Sequence, residues 1–401
     1  MPAARTKPAT MDAAATRALD LLMQLLALPG PSGGEQPVVE FITAQLAGAG
    51  IPKGALASDR AFKRSPVGGA VGNLALRLPG VARAPRRMLS AHMDTVPLCA
   101  GAVPVRRGDR IVSASGATAL GGDDRTGCAV LLATALTLLE ERLPHPPLTL
   151  LWTVQEEAGL HGAHFVNVPM LKKPALAFNF DGGTANRVTL GATGGYRIFI
   201  TVDGVASHAG MAPERGVSAI AIASLAIADL TRAGWHGLVL RGNRRGTSNV
   251  GVIHGGAATN VVCDRVEIRA EARGHDPKFR QRIVAEIEKA FQRAARELQS
   301  SEGKRGRVEV TGRLDYESFR IERTDPSAAA ATAAITAEGL EPEFAIANGG
   351  LDANWLTHNG IPTVTLGCGQ HNIHTVDEYV EIEEFAAACR VALRLATANV
   401  N

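Results

Sequence analysis

The chain has 401 residues, 46% of them hydrophobic and 20% charged, with a formal net charge of +3. That is too long for one ordinary core and describes a soluble protein of about two domains. Its one dense basic cluster, Arg241 to Arg245, has no interleaved aromatic residues, and no run of about 18 apolar residues occurs, so neither nucleic-acid binding nor a membrane span is expected.

Met1 to Thr16 is rich in Ala, Thr and Pro without an apolar core, so a loose tail is expected rather than a secretory signal. Apolar spacing at Leu19, Leu22, Leu25 and Leu26 predicts a helix stopped by Leu28-Pro-Gly-Pro-Ser-Gly-Gly. A second helix is expected from Gln36 to Leu46, with Pro37 in its first turn. Strands follow at Asn73 to Leu78 and Arg87 to Met93. The latter ends in His92-Met-Asp94, whose two polar side chains share one face of a strand. Such a pair suits either a metal-binding imidazole steadied by a carboxylate or a plain strand-end hydrogen bond.

A glycine-rich loop then leads into Asp123-Asp124 and an apolar helix through Glu140. Helix capping accounts for one of these aspartates well and for the pair less well. Leu148 to Gln155 reads as a buried strand of the parallel type, with Glu156-Glu157 at its C-terminal end. Ala175 to Phe180 is another, ending in Asp181. Ligands of α/β sheets bind at such ends, and hydrolytic di-metal sites are built from carboxylates and imidazoles on several of them.

From Gly191 the texture changes. Strands at Tyr196 to Asp203, Asn249 to Ile253, Val261 to Ala272 and Val308 to Ser318 alternate with helices at Gly216 to Ala233 and Pro277 to Leu298. This β-α-β-β-α-β order is ferredoxin-like. It predicts an inserted α+β domain over 191–314, interrupting an α/β domain of 1–190 and 315–401 with a mixed, mostly parallel sheet. The α/β pattern resumes with a helix at Ser327 to Ala337, a strand at Pro362 to Leu366, the segment Gly367 to Val380 carrying His374, and a helix at Ile382 to Thr397.

The cheapest ligand set for two metals is His92, Asp123, Glu157, Asp181 and His374, with Glu156 or Glu157 left over as a base. No Gly-x-Ser-x-Gly, Walker A or His-Glu-x-x-His motif is present, which removes serine hydrolases, P-loop enzymes and zincins. The five cysteines are scattered and form no Cys-x-x-Cys, so no disulfide framework is expected and a reducing, cytoplasmic setting is favoured.

The stretches Leu-Ser-Ala-His-Met-Asp-Thr-Val-Pro, Leu-Gly-Gly-Asp-Asp-Arg-Thr-Gly, Thr-Val-Gln-Glu-Glu-Ala-Gly-Leu, Asn-Phe-Asp-Gly-Gly and His-Asn-Ile-His-Thr-Val-Asp-Glu-Tyr resemble the M20 metallopeptidases. With Val205-Ala-Ser-His-Ala-Gly and Glu271-Ala-Arg-Gly-His-Asp they look most like the peptidase T branch, the tripeptide aminopeptidases. The resemblance runs over nearly the whole chain from about residue 18.

It implies a di-zinc catalytic domain with a dimerisation or lid domain inserted, and a cytoplasmic homodimer. One ion, zinc or else cobalt or manganese, would lie on His92, Asp123 and Asp181. The second would lie on Asp123, Glu157 and His374, with Asp123 bridging and its peptide to Asp124 cis. Asp94 would orient His92. Glu156 would be the general base, passing a proton from the attacking water to the leaving amine. His208 would polarise the scissile carbonyl from the partner subunit, and Arg273 and Asn260 would meet the substrate. Short peptides are the implied substrates, with a carboxypeptidase, dipeptidase or N-acyl-amino-acid hydrolase as the alternative on the same machinery. Three positions depart from the family pattern: Arg125 stands where lysine is usual, Gly122 where alanine is, and Gly274 where serine is.

Overall fold

The computed structural model describes residues 13–80 and 83–398. Residues 1–12 of the expected tail lie outside these. Ala13–Thr16, expected to belong to it, instead begin a helix, Ala13–Ala27, because the burial of Leu19, Leu22, Leu25 and Leu26 carries one helix through both segments. Among the described residues no helix is long and apolar enough to cross a membrane. The chain divides into two compact units. One holds the chain through Gly191, Arg320–Ala347 and the chain from Leu351; the other holds Ala192–Phe319 and Asn348–Gly350.

The first unit is built on a mixed sheet of nine strands among the described residues. Its centre is four neighbouring parallel strands in the order Leu148–Thr153, Arg87–His92, Leu176–Gly182 and Thr363–Gly367. Leu74–Leu78 flanks them antiparallel on one side and Arg187–Ala192 on the other. Arg87–His92 and Leu148–Thr153 are buried at every position. Continuous apolar runs of this kind belong to parallel strands covered on both faces. The helix Gly122–Glu140 is buried from Gly122 through Leu138. Gly127 lets it approach the sheet, since a Cβ there would lie 2.0 Å from the Phe180 carbonyl oxygen. All four parallel strands therefore run out at one edge, beside the start of this helix.

The strand expected through Gln155 stops at Thr153. Gln155 adopts φ +56°, which ends the extended conformation and puts Glu156 and Glu157 on a turn.

The second unit is an antiparallel five-stranded sheet in the order Gly237–Arg241, Arg244–Gly255, Arg265–Gly274, Gly194–Asp203 and Arg307–Tyr316. Helices Ala219–Arg232 and Pro277–Glu297 supply the ferredoxin-like β-α-β-β-α-β order. Ile198, Ile200, Val202, Ile222, Phe279, Ile283 and Phe291 are among the residues of its buried core. The strand Gly237–Arg241 is an addition to the expected pattern. It pairs with Arg244–Gly255 across the two-residue loop Gly242-Asn243, where Gly242 has φ +58°.

Candidate metal centre

The four parallel strand ends and the helix start bring the candidate ligands together. His92 closes its strand, Asp181 is the penultimate residue of the neighbouring strand, and Glu157 lies four residues beyond Thr153. His374 comes seven residues after Gly367, on a loop where it takes φ +64°.

The Asp123–Asp124 pair divides its labour. The peptide between them is cis, and neither residue has helical dihedrals, so the regular helix begins at Arg125. Asp124 caps it: Oδ1 accepts the Gly127 N–H at 3.0 Å, three residues on, while Oδ2 accepts the His92 N–H at 3.1 Å. Asp123 turns instead toward the imidazoles. Its Oδ1 lies 3.1 Å from His92 Nε2 and its Oδ2 lies 3.2 Å from His374 Nε2. Glu157 Oε1 is 2.9 Å from the same His374 nitrogen, and Asp181 Oδ1 is 3.9 Å from His92 Nε2.

These separations fit a cation pair. Two ligand atoms on one tetrahedral zinc, each at 2.0–2.2 Å, lie about 3.3 Å apart. The donors are imidazole nitrogens and carboxylate oxygens, a set that suits zinc, cobalt and manganese alike. The tautomer fits too. His92 Nδ1 lies 3.0 Å from the Asp94 carbonyl oxygen, which can only accept, so Nδ1 carries a proton and Nε2 is the nitrogen that would face a metal ion. His92, Asp123 and Glu157 form one group with ligand atoms in mutual reach, and His92, Asp124 and Asp181 another.

The electrostatics call for positive charge. Burial and the neighbouring Asp123 push Asp181 well above the usual carboxylate range. Burial, with Asp181 and Asp352 beside it, does the same to Glu156. His374 is held up to about 10 by Asp123 and Glu157. Crowded carboxylates that resist ionisation and imidazoles that hold protons are the response of such a cluster to uncompensated negative charge.

Asp94 faces His92 and also reaches the turn beyond Thr153. Its carboxylate stands 3.5 Å from His92 Nδ1, farther than its own carbonyl. Oδ1 accepts the Glu156 N–H at 2.9 Å, while Oδ2 accepts the Glu157 N–H at 3.2 Å and the Ser32 hydroxyl at 2.6 Å.

Two supporting residues escaped the sequence reading. Glu378, almost fully buried, accepts the N–H groups of Leu120, Gly121 and Asp123 at 2.8, 2.8 and 3.1 Å and so holds the glycine turn before the ligand. Gln370 Nε2 donates to Asp123 Oδ1 and Asp181 Oδ1, both at 3.3 Å, while its Oε1 accepts from the Thr126 hydroxyl at 2.7 Å. Both lie in stretches read as motif, but nothing in a single sequence says which backbone a carboxylate will reach.

His208, Asn260 and Arg273 belong to the second unit. His208 and Val261 form an isolated bridge, and the Ala209 N–H donates to the Asn260 carbonyl at 2.9 Å, so His208 and Asn260 are neighbours. His208 Nδ1 accepts the N–H groups of Gly210 and Met211 at 3.2 and 3.1 Å, which leaves the ring proton on Nε2. Arg273 is engaged in a two-pronged pair with Glu271, at 3.0 and 3.2 Å.

The model of peptidase family M20/M25/M40 matches residues 88–398. A tripeptidase from Staphylococcus aureus has a structure that superposes with a TM-score of 0.85 at 30% identity, over 96% of this chain and 98% of that one. Aminopeptidase PepT from Bacillus cereus superposes with a TM-score of 0.82, also at 30% identity, over 96% and 98%. The protein YqjE of Bacillus subtilis is 33% identical over 329 residues, 82% of this chain and 85% of that protein. With its candidate ligand atoms gathered near the ends of four parallel strands, the chain belongs to peptidase family M20/M25/M40.

Proposed function

We propose that the protein is a di-metal exopeptidase that cleaves short peptides from their amino end, as a tripeptide aminopeptidase does. The observation that carries this reading is the divided carboxylate of Asp123, one oxygen toward His92 and the other toward His374. His92, Asp123 and Asp181 would hold one divalent ion, and Asp123, Glu157 and His374 the second, with zinc the first choice and cobalt or manganese the alternatives. When bound, such a pair supplies Lewis acidity and charge stabilisation for amide hydrolysis.

The chain's own residues do the rest. Glu156, which shares the turn of the ligand Glu157 but has no imidazole partner, takes a proton from the attacking water on a carboxylate oxygen and delivers it to the leaving amine. The partner subunit's His208, with its proton on Nε2, donates to the scissile carbonyl as negative charge develops there. Asn260, beside His208, and Arg273, once released from Glu271, would bind the ends of the peptide.

The exposed Leu238 and Leu240 on the edge strand of the second unit support a homodimer through that sheet. Five cysteines without a disulfide, three of them buried, support a cytoplasmic setting. The substrate class follows the tripeptidase and PepT likeness at 30% identity.

A panel of di- and tripeptides with free and blocked ends, assayed with zinc, cobalt or manganese, tests this. Free-amino tripeptides should be cleaved and amino-blocked ones spared. Cleavage confined to blocked peptides would place the protein with the N-acyl-amino-acid hydrolases instead. Glu156→Ala should abolish turnover while metal stays near two ions per chain.

A further inference from the structure

The turn that carries Glu156 rests on a second buried carboxylate. Glu35 follows the Pro29–Gly34 loop and is wholly buried. Its Oε1 accepts the Gly33 N–H at 2.8 Å and the Gln155 N–H at 3.1 Å. The next two amides along the chain, those of Glu156 and Glu157, donate to Asp94. Three successive backbone N–H groups thus end on two carboxylates. This is the geometry of an anion-binding nest, here filled from within the protein.

The opposite edge of the turn is fixed as well. The Glu156 carbonyl accepts the N–H groups of Gly159 and Leu160 at 2.9 and 2.7 Å, and the Gln155 carbonyl accepts that of His161 at 3.0 Å. Gln155 itself sits at φ +56°. A residue with a Cβ stays in that region only where its surroundings over-determine it. Remove one anchor and the backbone has somewhere easier to go.

A buried cation answers the two buried acids. The Arg125 guanidinium, almost fully buried, acts electrostatically on both Asp94 and Glu35. It passes so close beneath Gly30 that a Cβ there would stand 2.4 Å from Nη2. Burial, with Asp94 behind it, still pushes Glu35 up to about 7. Protonation leaves Oε1 free to accept, as the amide oxygen of glutamine would be.

We propose that Glu35 is a positioning residue: with Asp94 it fixes the Gln155–Glu157 turn, and so the direction in which the Glu156 and Glu157 carboxylates leave the backbone. This rests on the reading of Glu156 as the base. Misplacing a reacting group by an ångström costs orders of magnitude in rate, so an anchor on the adjacent residue should be felt in turnover.

The test compares wild type with Glu35→Ala, Glu35→Gln and Glu156→Ala. In the metal-free protein, backbone amide exchange over 154–157 should quicken about ten-fold in Glu35→Ala, with the strand Leu148–Thr153 unchanged. Glu35→Gln, which keeps the acceptor, should exchange like wild type. In the metal-loaded enzyme, Glu35→Ala should lower kcat by at least about ten-fold at nearly constant KM, and Glu35→Gln should restore it.

Unchanged exchange in the turn, or a wild-type kcat per metal-loaded chain, overturns the proposal. Should Glu35→Ala fail to fold, Glu35→Asp, one methylene shorter, carries the same expectations. Wild-type turnover in Glu156→Ala would remove the base instead, and amide exchange would still decide whether Glu35 holds the turn.

Discussion

Asp94 accepts the backbone N–H of Glu156 at 2.9 Å, and that bond ties the strand end bearing His92 to the turn bearing Glu156 and Glu157. The Asp94 carbonyl lies 3.0 Å from His92 Nδ1 and its carboxylate 3.5 Å, while the same carboxylate also accepts from Glu156, Glu157 and Ser32. One residue thus sets the tautomer of a ligand with its backbone and the place of a turn with its side chain.

Asp94→Ala separates those two duties. The carbonyl stays, so His92 keeps its Nδ1 partner, but the turn loses two of its amide acceptors. Metal affinity should weaken about ten-fold, in the range measured for residues that support ligands. Turnover should fall about a hundred-fold, because the base is no longer held. Asp94→Asn retains an acceptor and should lie between. Competition with a chromogenic chelator gives the affinity and steady-state kinetics the rate. Equal losses in both would mean that Asp94 acts only through the metal.

Four of the five candidate ligands could be placed from the sequence because they stand next to something periodic, whereas His374 lies on a loop seven residues past its strand. His92 and Asp181 close apolar runs, Asp123 opens an apolar helix and Glu157 follows a core strand, so placing the strands placed the acids. Glu35, Gln370 and Glu378 could not be placed this way: apart from the Gly33 amide beside Glu35, the backbone amides and side chains they bind lie 120 to 258 residues away, fixed only when the chain folds. The hairpin strand Gly237–Arg241 was missed for another reason. Its Gly242-Asn243 loop is a turn signal, but three arginines around it read more readily as a charge cluster than as strand ends.

Glu378 gives a stability prediction independent of activity. Its carboxylate satisfies three N–H groups in a buried glycine turn. Leaving a buried donor unpaired costs about 1–3 kcal/mol, and entering water recovers part of that. Glu378→Ala should therefore destabilise the metal-free protein by about 2–4 kcal/mol, and Glu378→Gln by less. Chemical denaturation without metal measures both. A loss seen only with metal bound would assign Glu378 to the metal rather than to the turn.

His164 predicts a pH dependence. Its ring stacks on Trp355 at 3.7 Å between centroids and on Phe165 at 4.2 Å. Burial, followed by the charges of His161, Arg64 and His358, pushes it down to about 4 from an ordinary 6.5. Between those values the unfolded chain binds the proton and the folded one does not, so stability falls as pH falls through the window. The site is only partly buried, which screens the effect to about 1–2 kcal/mol. His164→Phe keeps a ring in the stack without a charge. Relative to that variant, wild type should lose this amount between pH 7 and 4.5 in denaturant titrations, and a constant difference would rule the mechanism out.

The placement of His208 is decided by mixing two inactive variants. Glu156→Ala removes the proposed base and His208→Ala the proposed carbonyl donor, and neither change touches a proposed metal ligand. If His208 serves the other subunit's site, a mixed dimer holds one site with both groups intact and one with neither. Mixing should then restore turnover, up to half the wild-type rate per mixed dimer. If His208 serves its own chain, every site in the mixture lacks one group and the mixture stays as inactive as its parts. Exchange of subunits must be shown separately, by mass spectrometry of tagged chains, so that silence means cis action and not failure to mix. Residual activity of His208→Ala alone sets the baseline. A donor aimed at a developing oxyanion is worth about 10²–10³ in kcat, which leaves ample room to see recovery.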